Sequence, residues 1–357
     1  MTKRATHRRS GDEELGDHMA LTTGNAVPVI DCSSFTGRGD DDGRLATAQA
    51  IDLACQEYGF LVISGHGVPA DTIESMRDVS ARFFALPLDE KLKVVACKAA
   101  NAYRGYLSPE SKSHSADLDA PPDLMEKFIV SRFETHEDAL AAGYRPGLEE
   151  WFAPNVWPLE PPDMKAIWQR YFTDVSRLAQ QLMGAFAVAL DLPDGWFEDK
   201  IDEHFSSLTA NHYPPQLRSP APGQLRIAPH TDTGSLTLIP QDGAQAGLEI
   251  QHPASGEWLP VPSIAGTFVV NIGDLMAQWT NDRWVSTYHR VVNPVRSVAH
   301  VGRLSTPFFL QPNFDATIAC LPSCCSPEQP AKYAPVTSGE WATAVTRPFD
   351  PEVAAKP

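Results

Sequence analysis

Two different rhythms of apolar and polar positions divide the chain. Up to about residue 206, short apolar runs alternate with longer segments in which apolar residues recur every three or four positions, the spacing of one helix face. From 207 to 312 that rhythm gives way to short runs rich in β-branched and aromatic residues, broken by Pro, Gly and Asp. The first part predicts a short strand from Val27, a helix over 45–58, a strand over 60–64, a helix over 70–84, and a loop-rich stretch over 99–122. A long helix is expected to start near Asp163, its N-cap just after Pro161-Pro162, with Ile167, Tyr171, Val175, Leu178, Leu182 and Phe186 forming its core stripe. The second part predicts two antiparallel sheets folded into a jelly roll. The fold class is therefore α+β: a double-stranded β-helix core with flanking helices and an N-terminal α/β extension. Five regions follow, namely a mobile tail over 1–25, an N-terminal region over 26–150, helical support over 151–206, the jelly-roll core over 207–312, and loops with a short helix near 338–345 over 313–357.

Composition narrows the function classes. The chain has 357 residues, of which 43% are hydrophobic, enough for a sizeable core. A net charge of −16 argues against a nucleic-acid partner, because neutralising phosphates needs a basic surface. No apolar stretch is long enough to cross a membrane, and the Arg8-Arg9 pair has no apolar run behind it to make an export signal. The six cysteines (Cys32, Cys55, Cys97, Cys320, Cys324 and Cys325) lack zinc-type spacing and form no disulfide framework. A cytoplasmic protein acting on a small molecule, monomeric or weakly homo-oligomeric, is the expectation.

The chemistry is concentrated in His230-Thr231-Asp232, His289 and Arg303-Leu304-Ser305. Two imidazoles and one carboxylate can occupy one face of an octahedral Fe(II) and leave three positions for a co-substrate and oxygen. The run 225–240 reads as extended, so His230 and Asp232 are expected on one face by strand alternation. His289 is too distant to be local and is expected on a second strand, over 284–292. Alternation also puts Arg303 and Ser305 on one face, where a planar guanidinium and a hydroxyl make an anion clamp. With 11 histidines and 45 acidic residues, about one or two His-x-acid matches arise by chance, and the chain has two. The other, His136-Glu137-Asp138, lies in an acidic stretch with no strand character and no matching His-then-Arg-x-Ser downstream, so it reads as surface or a helix start.

Other segments extend the pattern. They include Val27-Pro28-Val29-Ile30-Asp31, Tyr58-Gly59-Phe60 through Gly65-His66-Gly67, Asn211-His212-Tyr213-Pro214-Pro215, His289-Arg290-Val291-Val292-Asn293-Pro294 and Pro307-Phe308-Phe309. Together with the triad, they make the chain resemble the Fe(II)- and 2-oxoglutarate-dependent dioxygenases of the isopenicillin N synthase type, from about residue 27 to 349. The resemblance implies that His230, Asp232 and His289 bind iron, that Arg303 and Ser305 hold the distal carboxylate of 2-oxoglutarate, and that Asn211 and Tyr213 lie near this co-substrate. It implies O2-dependent decarboxylation of 2-oxoglutarate to succinate, coupled to hydroxylation, desaturation or cyclisation of a small organic substrate. One departure is the distance from His289 to Arg303, longer than usual in the group, with 295–302 as the extra loop. Two alternatives stay open: an oxidase on the same scaffold that dispenses with 2-oxoglutarate, and a metal-binding jelly roll without turnover.

Substrate contacts are expected from Tyr103, Arg104 and Tyr106, and from Arg226, which could equally lie at the surface or in an ion pair. His66 reads as a turn residue. His212 alternates with Asn211 and Tyr213 and is expected to face away from them.

Overall fold

The computed structural model describes residues 19–20, 26–37, 39–95, 104–109, 121–243 and 247–346. Fourteen strands build the framework: β1 (Met19–Ala20), β2 (Val29–Asp31), β3 (Phe60–Ser64), β4 (Gly105–Leu107), β5 (Glu126–Ser131), β6 (Ser207–Tyr213), β7 (Ile227–His230), β8 (Leu236–Gln241), β9 (Leu248–Gln251), β10 (Trp258–Pro260), β11 (Thr267–Ile272), β12 (His289–Val291), β13 (Arg303–Ser305) and β14 (Phe308–Leu310). The major sheet runs β1-β2-β3-β11-β8-β14-β6-β5-β4, with β13 also paired to β6. The minor sheet runs β10-β9-β12-β7.

Why the major sheet is apolar on both faces follows from what covers it. Phe60 and Val62 of β3 point between the two sheets, into a cluster with Tyr213, Ile227, Ile250, Val269 and Val291. Leu61 and Ile63 point the other way, against the long helix Met164–Ala189, whose Trp168, Tyr171, Val175, Leu178, Leu182 and Phe186 are fully buried. A strand covered twice shows a continuous apolar run, which is what 60–64 displays. The helices Asp41–Glu57 and Ala70–Phe84 pack on the same side. The jelly roll and its helical flank are thus the expected ones. Among the described residues, no helix is long and apolar enough to cross a membrane.

Several boundaries differ from expectation for identifiable reasons. Met19–Ala20, inside the stretch expected to be a mobile tail, pairs with Val29 and Ile30. Gly105–Leu107 forms an edge strand within the expected loop, because Tyr106 has a buried partner to reach. Asp163 precedes the long helix but makes no capping bond; its carboxylate accepts from Arg82 Nη2 at 2.6 Å instead. The run 225–240 is two strands in different sheets, β7 ending at His230 and β8 starting at Leu236. The run 284–292 contributes only His289–Val291 to a strand.

Behind β6 lies a buried polar cluster. Glu126 accepts from Lys91 Nζ at 2.7 Å, Tyr106 Oη at 2.6 Å and His212 Nδ1 at 2.7 Å. Burial opposes ionisation of Glu126, but these hydrogen bonds and the Lys91 charge outweigh it and hold its pKa below the usual 4.5. Its contribution is therefore present above that pH and lost as the pH falls through the lowered folded value. Glu126→Gln should cost about 3–5 kcal/mol at neutral pH by stranding the Lys91 charge. That cost should shrink below about pH 4.5, and a pH series of chemical denaturation curves on both proteins checks it.

Candidate active site

The two sheets bring the triad together by different routes. β12 pairs antiparallel with β7 so that His289 lies directly opposite His230, and the two rings sit 4.2 Å apart, centroid to centroid. Asp232 follows the end of β7, on the turn where the chain crosses from the minor to the major sheet. It is this crossing, rather than strand alternation, that turns its carboxylate back towards the imidazoles. Asp232 Oδ1 lies 3.8 Å from His230 Nε2 and 3.7 Å from His289 Nε2. One ligand atom from each residue falls within 4.8 Å of the others, and no other such group of His, Cys, Asp and Glu occurs among the described residues.

Each ligand atom is aimed by a second contact. His230 Nδ1 lies 2.8 Å from the Ala228 carbonyl and His289 Nδ1 3.1 Å from the Thr287 carbonyl. A carbonyl only accepts, so both Nδ1 atoms carry a proton and both Nε2 atoms are left facing the site. Asp232 Oδ2 accepts from Thr237 Oγ1 at 2.5 Å and Asn271 Nδ2 at 2.7 Å, which leaves Oδ1 for the site. Neither Thr237 nor Asn271 was foreseen, although each is a polar side chain set between apolar neighbours in its strand, which is a readable signal. Phe60 packs edge-on against the His289 ring at 5.3 Å. The turn behind Asp232 is tight: a Cβ on Gly273 would come within 2.1 Å of the Gly234 carbonyl oxygen. Trp341 Nε1, on the C-terminal helix Ser338–Thr346, donates to the Thr233 carbonyl of the same turn at 3.1 Å.

The residues expected to form the anion clamp are also brought together by register. β13 pairs with β6 so that Arg303 faces Tyr213 and Ser305 faces Asn211. The Arg303 guanidinium carbon stands 5.0 Å from the Tyr213 ring centre. Arg303 Nε, Arg303 Nη1 and Asn211 Oδ1 are buried with no hydrogen-bond partner. Buried polar atoms are rarely left so, and each calls for an explanation. A carboxylate seated here supplies acceptors for the two N–H groups.

The donor set fits a ferrous ion. Two imidazole nitrogens and one carboxylate oxygen converge within 4.8 Å of one another, a donor set that suits Fe(II), and a purely structural metal site would instead complete its sphere with protein ligands.

The comparisons with known proteins agree with that chemistry. The description "2OG-Fe(II) oxygenase superfamily" matches residues 204–312, and "non-haem dioxygenase in morphine synthesis N-terminal" matches 27–160. The chain is 32% identical over 319 residues to the 2-oxoglutarate-Fe(II) type oxidoreductase hxnY of Emericella nidulans, covering 87% of each chain. The chain belongs to the 2OG-Fe(II) oxygenase superfamily. It is an Fe(II)/2-oxoglutarate-dependent dioxygenase of the isopenicillin N synthase-like type, with Fe(II), 2-oxoglutarate and O2 as its cofactor and co-substrates. A second relative in the superfamily, validamycin A dioxygenase of Streptomyces hygroscopicus subsp. limoneus, is 32% identical over 83% of this chain and 80% of its own. Among solved structures, Neurospora crassa T7H in complex with alpha-KG and 5-formyluracil matches with a TM-score of 0.77 and 32% identity, covering 92% of this chain and 98% of that one. The same enzyme with alpha-KG and thymine gives 0.78 at 31% identity, covering 91% and 98%.

The expected substrate contacts fare unevenly. Tyr103 lies outside the described residues. Tyr106 is 1% exposed and points into the helix-side core, where its hydroxyl serves Glu126; the alternation of β4 turns it away from the jelly-roll interior, so it is no substrate contact. Arg104 is buried and donates to the Trp151 carbonyl at 2.9 Å, with burial lowering its pKa to about 10. Arg226 is buried near Tyr213 rather than at the surface or in an ion pair. Three other described histidines stand away from the triad in structural settings. His66 Nδ1 accepts from the Val68 N–H, His136 starts a capped helix, and His212 stacks on Phe84 away from Tyr213.

Proposed function

We propose that His230, Asp232 and His289 hold the ferrous ion, that Arg303 and Ser305 hold the distal carboxylate of 2-oxoglutarate beside Asn211 and Tyr213, and that the enzyme oxidises a C–H bond of a small organic molecule. The observation that carries this reading is the aimed triad: three ligand atoms in reach of one another, each fixed by a hydrogen bond on its far side. When bound, the iron supplies the oxygen chemistry, coupling decarboxylation of 2-oxoglutarate to oxidation of the substrate. The chain's residues position and shield. Thr237 and Asn271 keep Asp232 Oδ1 turned inward, and the Ala228 and Thr287 carbonyls hold both imidazole rings with Nε2 towards the ion. Arg303 and Ser305 orient the diacid, and the apolar lining of Phe60, Ile227, Ile250 and Val291 excludes water from the interior.

Relatives bound to thymine or 5-formyluracil, or named for validamycin A, support a small-molecule substrate of this class. A panel of such molecules, including pyrimidines, amino acids and aminocyclitols, should contain at least one that raises 2-oxoglutarate-dependent succinate release and is itself converted in a one-to-one ratio. Succinate release that no small molecule stimulates, across a panel of all three classes, would count against the substrate assignment.

A further inference from the structure

The interior carries a second guanidinium that the co-substrate clamp does not account for. Arg226 is 4% exposed, and its guanidinium carbon stands 5.6 Å from the centre of the Tyr213 ring, which the Arg303 guanidinium carbon also approaches, at 5.0 Å. Two arginines thus flank one buried aromatic ring. Neither forms an ion pair with an acidic side chain among the described residues. Arg226 Nη2 reaches the Val301 carbonyl only at 3.5 Å, the outer limit of a hydrogen bond, and Arg226 Nε has no partner at all. Asp123, whose charge is felt at Tyr213, commits Oδ1 to the Ala228 N–H at 2.9 Å. Burial and the neighbouring Arg303 charge both pull the Arg226 pKa down. Burying two like charges together with neither in an ion pair is costly, and such an arrangement persists where an anion is meant to sit.

Strand register decides which anion. β7 runs from Ile227, opposite Val291, to His230, opposite His289. Arg226, just before Ile227, is therefore at the end of β7 remote from the triad, roughly 12 Å along the strand. Arg303 is at the same end, because the carbonyl approached by Arg226 belongs to Val301, two residues before it. Substrate oxidation takes place at the iron, whereas this end faces the far carboxylate of the co-substrate.

Resting on the co-substrate reading above, we propose that Arg226 is a second cationic arm for the distal carboxylate of 2-oxoglutarate, acting with Arg303 across Tyr213, and not a substrate contact. The test is calorimetric titration of the full chain, loaded with redox-inert Mn(II), with 2-oxoglutarate and with 2-oxobutyrate, which lacks the distal carboxylate. Arg226→Gln should weaken 2-oxoglutarate at least about tenfold and leave 2-oxobutyrate within about twofold, and Arg226→Lys should recover part of the loss. Without ligand, Arg226→Gln should melt no lower than the natural protein, since it removes one of two unpaired buried cations; a structural role predicts the opposite. Equal weakening of both acids, or unchanged 2-oxoglutarate affinity, overturns the proposal. If the natural protein itself fails to prefer 2-oxoglutarate over 2-oxobutyrate, the co-substrate reading falls, and the inference with it.

Discussion

Asp232→Ala is expected to eliminate both metal binding and succinate release. The carboxylate is the only anionic member of the triad, and its Oδ1 is the atom both Nε2 groups share as a neighbour. Loss of a mere outer-shell partner of a metal ligand costs about 10–100-fold in affinity or activity, so loss of the ligand itself should exceed about a hundredfold. The alanine also strands the Thr237 hydroxyl and the Asn271 amide, at about 1–3 kcal/mol for each unsatisfied buried group. Asp232→Asn separates the two effects, because its amide retains an acceptor for those donors while removing the charge. Both variants should lose Mn(II) binding in calorimetry, and the asparagine variant should stay closer to the natural melting temperature. Turnover or metal affinity at the natural level in either variant would refute the ligand role.

Arg303→Ala is expected to raise the 2-oxoglutarate requirement by about two to three orders of magnitude, the range for removing one partner of a buried, hydrogen-bonded charge pair. The substrate requirement should change far less. Ser305, opposite Asn211 on the same face, cannot substitute for the guanidinium because a hydroxyl carries no charge. Initial rates of succinate release, with each of 2-oxoglutarate and substrate varied in turn, separate the two effects. Comparable shifts in both would place Arg303 outside the co-substrate pocket.

What could be read from the sequence was side-chain chemistry and local periodicity. The strand Phe60–Ser64 and the helix Ala70–Phe84 match their expected bounds because an apolar run and a 3.6-residue stripe are local signals. The convergence of His230, Asp232 and His289 could be anticipated because few residue types suit an iron site, and the pairing of Arg303 with Ser305 on one face because β13 is a regular strand. What stayed hidden was how the two sheets share the chain. The run 225–240 looks continuous because apolar residues stand on both sides of the crossing at Asp232, Ile227 before it and Leu236 and Leu238 after it, so apolarity does not report the change of sheet. Tyr106 was misread for a related reason: in a three-residue edge strand, nothing local says which face meets the helices. Arg226 was weighed as a substrate contact or an ion-pair residue because register, invisible in one dimension, decides its distance from the triad.

The most direct measurement is succinate formed by the purified chain with Fe(II), 2-oxoglutarate and O2, omitting each in turn, beside the triple variant His230→Ala, Asp232→Ala, His289→Ala. Succinate should appear only with all three present and should fall to the reagent background in the triple variant. Undiminished succinate from that variant, or formation by the natural chain without added or bound iron, would contradict the assignment of these three residues as the iron site.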